Sequence, residues 1–506
     1  MTEAFSLAEA AILWPYVTNL NRPVFALRHL PEEVVAVLFA YYSRSRESLR
    51  RNLLKLIQDE DLALEGRLAW TERSRDDLAR AEAKARAFHE KWVVGYGHGS
   101  VAEHAVAHLA LEDVSIVASK VVEDARLASY TEKSTRYVVF DRDRFYREPA
   151  IMASAHAERY ERTCRALLET YAGLTDRMVA AVKAETPAEQ GQSVRAHEAA
   201  CLAKACDILR YLLPAATLTN LGITINGRAL EHLLTKLLSH PLAEARDLGA
   251  RMKTETLAVI PTLIKYAEPS AYLADTADAV SALAADYVTD RPEHARAVTL
   301  VRWPEAAEEE LVAAILYGYT QHPWPQVRER AAKLSAEERR RVLDDYLSRR
   351  GPHDQPLRAL EHLSYTFDIL VDFGAFRDIQ RHRMATQTPQ ELTALHGYAT
   401  PLEIARYGFA EQYEACMARA AETYEAIARD LPREAQYVLP LAFRKRVLFT
   451  WNLRELHHFI QLRSGKPGHP SYRQIAQQVF RELERTHPVL AHYIRVDLAD
   501  HAFARL

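Results

Sequence analysis

Apolar residues return at helical spacing along two stretches of the chain. Tyr160, Cys164, Leu167, Leu168, Tyr171, Leu174 and Met178 share one face, and so do Tyr413, Met417, Ala420, Tyr424, Ile427 and Leu431. That period predicts two amphipathic helices with the apolar face buried, and it reads Cys164 as a core residue. Elsewhere the pattern alternates. R-P-V-F-A-L-R-H-L-P-E-E from Arg22 and R-A-V-T-L-V-R-W-P-E-A-A from Arg296 are apolar runs closed by proline, and each predicts a strand entering a helix. The apolar strip Phe367, Ile369, Leu370, Phe373 and Phe376 predicts a buried helix that ends in R-D-I-Q-R-H-R, Arg377 to Arg383. An Ala-rich helical stretch precedes Asp290-Arg291-Pro292-Glu293-His294, where proline and charge interrupt it.

These elements come in pairs, in the same order. The two alternating runs are followed by A-E-H at Ala102 to His104 and L-E-H at Leu360 to His362. The two amphipathic helices follow, Tyr160-Glu161 through Tyr171 matching Tyr413-Glu414 through Tyr424 with identical tyrosine spacing. Last, Leu213-Pro214 with N-G-R-A-L-E-H-L-L from Asn226 answers Leu439-Pro440 with N-L-R-E-L-H-H-F-I from Asn452. One such pair is weak evidence, but four in register predict a tandem duplication: a first domain over 1–289 and a second over 290–506.

Composition narrows the class of protein. With 506 residues, 48% of them hydrophobic and 26% charged, the chain has ample core and no disordered or low-complexity character. The 65 Lys plus Arg against 68 Asp plus Glu leave a formal charge of -3, so there is no net polycation to condense on nucleic acid or an anionic membrane, which leaves room only for a local basic groove. Cys164, Cys201, Cys206 and Cys416 lack both C-x-x-C pairing and zinc-ligand spacing. No stretch reaches the length of a membrane span and the N-terminus has no basic leader. The expectation is a cytoplasmic protein without structural metal, disulfide frame, membrane or nucleic-acid partner.

Three polar constellations are candidates for chemistry. G-H-G-S-V-A-E-H, Gly97 to His104, crowds donors and acceptors at the start of a helical pattern, which suits a phosphate or a polar cofactor edge. A capped helix whose histidines satisfy their own backbone is the plain alternative. A-R-L-A-S-Y-T-E-K-S-T-R-Y, Ala125 to Tyr137, sets Arg126 and Arg136 among hydroxyls, the ordinary means of holding a phosphomonoester. Its alternative is a solvated helix end. The run Arg377 to Arg383 gathers cations that repel one another unless something anionic or electron-rich lies among them; a neutralised exposed turn is the alternative there.

The triplet Arg381-His382-Arg383, the preceding Glu361-His362 and the closing N-x-R-x-L-x-x-F-x-x-L-R at Asn452 to Arg463 resemble the flavin-dependent thymidylate synthase family, whose signature is R-H-R-x-x-S-x-N-E-x-S-x-R-Y. The likeness covers most of both halves, so the chain looks like two family-like units fused. The resemblance implies an α/β (α+β), helix-rich fold, FAD as cofactor, and methylation of dUMP to dTMP with methylenetetrahydrofolate and NADPH as co-substrates. It also implies a tetrameric assembly, here a homodimer giving four family-like units.

Carried over residue by residue, the two halves keep different parts. The first half retains Arg126, Ser129, Glu132, Ser134, Arg136 and Tyr137 but has Asp124 and Ala125 where the triplet begins. The second half keeps the triplet and loses the loop after Thr386. The family's Arg before L-P is Arg210 in one half and Gln436 in the other, and its final motif Arg is Leu237 and Arg463. The resemblance therefore implies one composite site. His98, Ser100, Glu103, Asn226 and Arg228 with Arg381, His382 and Arg383 would form the flavin cradle. Glu132, Ser134, Arg136, Arg210, Arg381 and Arg463 would hold the nucleotide. Arg381 and Arg463 would stabilise charge developing on the uracil carbonyls. Where the family has a Gln three residues before the triplet, this chain has Asp378 and Val121. A non-catalytic nucleotide- or flavin-binding scaffold, and a flavoenzyme acting on another pyrimidine, remain the competing readings.

Overall fold

The computed structural model describes residues 4–42, 47–58, 99–188, 191–261, 263–293 and 296–501. Contacts divide the chain into two compact units that do not follow the order of the repeats. The first comprises 1–112, 127–132 and 220–288, and the second 113–126, 133–219 and 289–506. The second unit thus holds segments of both halves. Among the described residues helices dominate, with small antiparallel sheets, in keeping with the α/β (α+β) helix-rich expectation.

Seven strands are described: β1 (Val106–Ser115), β2 (Ala128–Glu132), β3 (Leu218–Asn226), β4 (Val298–Arg302), β5 (Ser364–Asp372), β6 (Thr386–Pro389) and β7 (Arg444–Asn452). One sheet runs β1-β3-β2 and the other β4-β5-β7-β6. Dropping the edge strand β4, the two orders are the same, so each repeat builds the same three-stranded unit. β5 pairs with β7 along its whole length, from Ser364 opposite Asn452 to Asp372 opposite Arg444.

Four expectations are corrected. The strip around Phe367 is strand before it is helix: Tyr365, Phe367, Ile369 and Val371 alternate into the core of β5, and the period changes only at Asp372. There the Asp372 carboxylate accepts from the Ala375 amide at 2.7 Å and starts the short helix Phe373–Ile379, whose Phe373 and Phe376 extended the apolar run and hid the switch. The segment from Ala128 is likewise a strand rather than a helix end. The block ending at His104 is a short tight helix, Gly99–His104, leading into β1, and Gly97 and His98 fall outside the described residues. Of the two alternating runs, the one from Arg296 forms β4, whereas the one from Arg22 contributes only an isolated bridge between Val17 and Leu27.

The paired amphipathic helices are Ala157–Glu185 and Ala410–Ala428, both in the second unit, with Tyr160, Cys164, Tyr413 and Met417 fully buried. They meet as equivalents. The Thr163 and Thr423 hydroxyls bond at 2.9 Å, and the Cys416 thiol lies 3.4 Å from the Thr170 hydroxyl, the same two positions exchanged between repeats. Tyr160 donates to the Tyr146 carbonyl and Tyr413 to the Ala399 carbonyl, each at 2.6 Å. The two L-P segments cross on a bridge between Pro214 and Pro440. The Ala215 amide donates to the Leu439 carbonyl and the Leu441 amide to that of Leu213. Such exchange of equivalent contacts is what a two-fold relation between copies requires. It delivers Arg210, just before its L-P, into the same unit as the second repeat's triplet.

Candidate functional site

Asp378 is the centre of the site. It lies at the end of the helix Phe373–Ile379 and is buried, with Arg381 Nη2 at 2.5 Å from one carboxylate oxygen and Arg210 Nη1 at 3.5 Å from the other. Burial alone would raise this carboxyl. Arg210, Arg381, Arg463 and Arg136 override it, and hold it well below the usual carboxylate range. Arg210 and Arg381, one from each repeat, therefore meet on one carboxylate inside the second unit, and Arg136 and Arg463 lie nearby, 5.6 and 5.3 Å from the Tyr472 ring.

Each arginine is held differently. Arg136 makes a two-pronged bond to Asp207, Nε to Oδ1 at 2.7 Å and Nη2 to Oδ2 at 3.0 Å, while its Nη1 donates to the Tyr472 hydroxyl at 2.9 Å. Ser134 accepts from the Arg136 amide at 3.2 Å and so shapes the turn that aims it. Arg210 is 1% exposed, and its Nε and Nη2 have no hydrogen-bond partner among the described residues. Its guanidinium lies against Gly374, where an added Cβ would come within 3.3 Å of Nε. Arg381 remains 57% exposed beside the buried carboxylate. Arg383 donates from Nη1 to the Arg126 carbonyl at 3.0 Å.

The helix Leu453–Ser464 supplies the remaining members. Trp451 in β7 stacks on Phe449 at 4.6 Å and on Phe459 at 4.8 Å, which seats this helix on the sheet. Glu455, Phe459 and Arg463 then share one face. His382 packs its ring edge-on to Phe459 at 5.0 Å, and its Nδ1 lies 3.0 Å from Glu455 Oε1. Arg463 Nε donates to His382 Nε2 at 2.9 Å. Burial, then Arg463, His458 and Arg381, keep this imidazole neutral far below its ordinary value.

In the first unit, Asn226 caps the helix Gly227–Leu238 by accepting from the Ala229 amide, and Arg228 pairs with Glu103 at 2.6 Å. In the second unit Asn452 caps its own helix and Arg454 pairs with Glu361 at 2.8 Å. Ser100 stands in the short helix Gly99–His104 and Glu132 ends β2, both also in the first unit. Sequence reasoning missed Asp207, Tyr472 and Glu455. Glu455 had a signal: it sits at helical spacing from Phe459 and Arg463 on the motif helix.

All four thiols are buried and free. Burial pushes Cys164, Cys201 and Cys416 up, away from thiolate, and none of the four joins the arginine cluster. Among the described residues no group of three metal-ligating side chains occurs, and no helix is long and apolar enough to cross a membrane.

Residues of both repeats thus meet at Asp378, Arg210 from the first and Arg381 from the second. The chain belongs to the family described as thymidylate synthase complementing protein, which matches residues 52–262 and again 299–489. It is similar to a UPF0159 protein of Chlamydia muridarum, 37% identical over 99% of this chain and 97% of the relative. A UPF0159 protein of Thermoplasma acidophilum is 30% identical over 84% of this chain and 91% of its own length. A flavin-dependent thymidylate synthase of Geobacter sulfurreducens is 29% identical over 41% of this chain and 81% of its own length. Among solved structures, the flavin-dependent thymidylate synthase ThyX of Helicobacter pylori, complexed with FAD and dUMP, aligns with a TM-score of 0.30 at 19% identity. It covers 40% of this chain and all of that one.

Proposed function

We propose that the chain is a flavin-dependent thymidylate synthase-like enzyme that methylates dUMP to dTMP, with methylenetetrahydrofolate and NADPH as co-substrates, at one composite site per chain. The observation that carries this reading is the meeting of Arg210 from one repeat with Arg381 from the other on the Asp378 carboxylate, with Arg136 and Arg463 both close to the Tyr472 ring. After Asp207 neutralises Arg136 and Asp378 offsets one more charge, the cluster still carries excess positive charge, which fits a phosphomonoester dianion. The unpartnered Arg210 Nε and Nη2 fit an anionic or carbonyl acceptor.

The donor set also fits a flavin: exposed Arg381 and half-buried Arg383 offer hydrogen bonds to a carbonyl-rich ring and a pyrophosphate, while both ring nitrogens of the neighbouring His382 are taken up by Glu455 and Arg463. FAD, when bound, supplies the redox chemistry. The chain's own part is electrostatic. Arg463 and Arg381, permanently charged, stabilise negative charge developing on the uracil oxygens, and no cysteine nucleophile is called on. The functional assembly is a cytoplasmic homodimer carrying four family-like units.

The test is whether purified protein is yellow, bleaches with NADPH and releases tritium from C5-labelled dUMP in the presence of the folate. Bound flavin or nucleotide without tritium release would make it a scaffold instead. A second reading, action on another pyrimidine, draws on Asp378, a carboxylate where the family has an amide. Release from a different labelled pyrimidine nucleotide, with none from dUMP, would favour it.

A further inference from the structure

Glu455 lies in the motif helix at a position the family signature leaves free, and the proposed chemistry gives it no part. Its carboxylate is 3.0 Å from His382 Nδ1, and Arg463 Nε is 2.9 Å from His382 Nε2. A guanidinium N–H only donates, so Nε2 must accept and carries no proton. The ring proton is therefore on Nδ1 and is donated to Glu455, whose carboxylate has no other use for an imidazole N–H. One arrangement of protons satisfies all three groups. His382 is 4% exposed and Arg463 8%, so neither bond is exchanged freely for water.

The first repeat provides an internal comparison. The positions equivalent to Glu455, Phe459 and Arg463 on its motif helix, counted from Asn226, are Ala229, Leu233 and Leu237, and the position equivalent to His382 is Ala125. The acceptor, the ring and the guanidinium are all absent together, and what replaces them is an apolar helix face. Three polar residues that are present or missing as a set behave as one device.

We propose that Glu455, His382 and Arg463 form a positioning relay: Glu455 fixes the tautomer and the orientation of His382, and His382 in turn fixes the guanidinium of Arg463 against the ligand. Glu455 and His382 are positioning residues, and Arg463 alone of the three acts on a bound nucleotide. The last step rests on the function proposed above, whereas the proton arrangement does not. The charged and titratable groups facing His382 are Glu455, His458 and Arg463 on the motif helix and Asp378 and Arg381 on its own segment. Protonating Nε2 would set a donor against the Arg463 donor and release the guanidinium.

Nitrogen NMR of the full chain carrying labelled histidine tests the relay, with the His382 signals identified by their loss in His382→Gln. The expected result at pH 7 is a neutral ring protonated on Nδ1 that does not titrate down to pH 5. Glu455→Gln keeps an acceptor and preserves that tautomer. Glu455→Leu removes it, mixes the tautomers, and weakens flavin and dUMP retention on the order of tenfold, with a steeper loss below pH 6 than in Glu455→Gln. A wild-type ring protonated on Nε2, or one titrating between pH 5 and 7, overturns the relay, as does a Glu455→Leu chain indistinguishable from Glu455→Gln. If the tautomer is as expected but no flavin or dUMP binds, the relay stands and the enzyme reading falls.

Discussion

Asp378 is the residue at which the two repeats meet, because Arg210 and Arg381 both contact its buried carboxylate while Arg136 and Arg463 help to keep it ionised. Replacing it by Asn leaves those cations facing one another, with an expected loss of about 3 kcal/mol in the ligand-free protein. Bound dUMP would restore part of this, so thermal melts should show a larger dUMP-induced shift in Asp378→Asn than in the wild type; an equal or smaller shift would count against the site. The buried histidines govern a second prediction. Burial holds His382 well below its usual value and His457 and His469 down to about 3, so the unfolded chain takes up protons near 6.5 where the folded one does not. Stability is then present above pH 6.5 and is lost as pH falls, by up to about 1.4 kcal/mol per pH unit for each such histidine. Asp378, depressed in the fold, adds a loss in the same direction once pH falls below the ordinary carboxylate value. Urea midpoints at pH 7.5, 6 and 5 should decline progressively, and a flat series would contradict the burial of these rings.

Among the elements, the paired helices Ala157–Glu185 and Ala410–Ala428 offer the cleanest test of the internal two-fold. The Thr163 and Thr423 hydroxyls bond to each other away from water. Either Thr→Val change alone should cost about 1 to 3 kcal/mol by orphaning the other hydroxyl, whereas the double change should be nearly neutral. Additive losses in a chemical-denaturation cycle would show that the pair is not a unit. These helices were readable from sequence because their apolar period runs through many turns. β5 was not: its alternation passes without a break into Phe373 and Phe376, and only the Asp372 cap separates the two periods. β2 was missed for another reason, since Ser129, Thr131 and Glu132 carry too little apolar character to mark a half-exposed strand. Pairing with β3 forms it, and pairing leaves no local trace.

At the scale of the whole molecule, the repeats were legible because duplication lets a chain be compared with itself, and the expected division of labour between Arg136, Arg210, Arg381 and Arg463 comes from that comparison. The partners that hold those arginines were not. Asp207, Tyr472 and Glu455 reach the cluster only through the fold, from segments whose local pattern is that of ordinary helices. The duplicate also makes a sharp contrast available: Arg381→Ala should abolish flavin retention, while Asp124→Ala, at the equivalent position of the other repeat, should leave it nearly unchanged. Equal effects on bound flavin absorbance would mean the two repeats are not specialised. The most direct measurement is calorimetric titration of the flavin-loaded chain with dUMP. One nucleotide per chain is predicted, with binding lost in both Arg210→Met and Arg463→Met. Two nucleotides per chain, or binding that survives both changes, would contradict a single site shared between the copies.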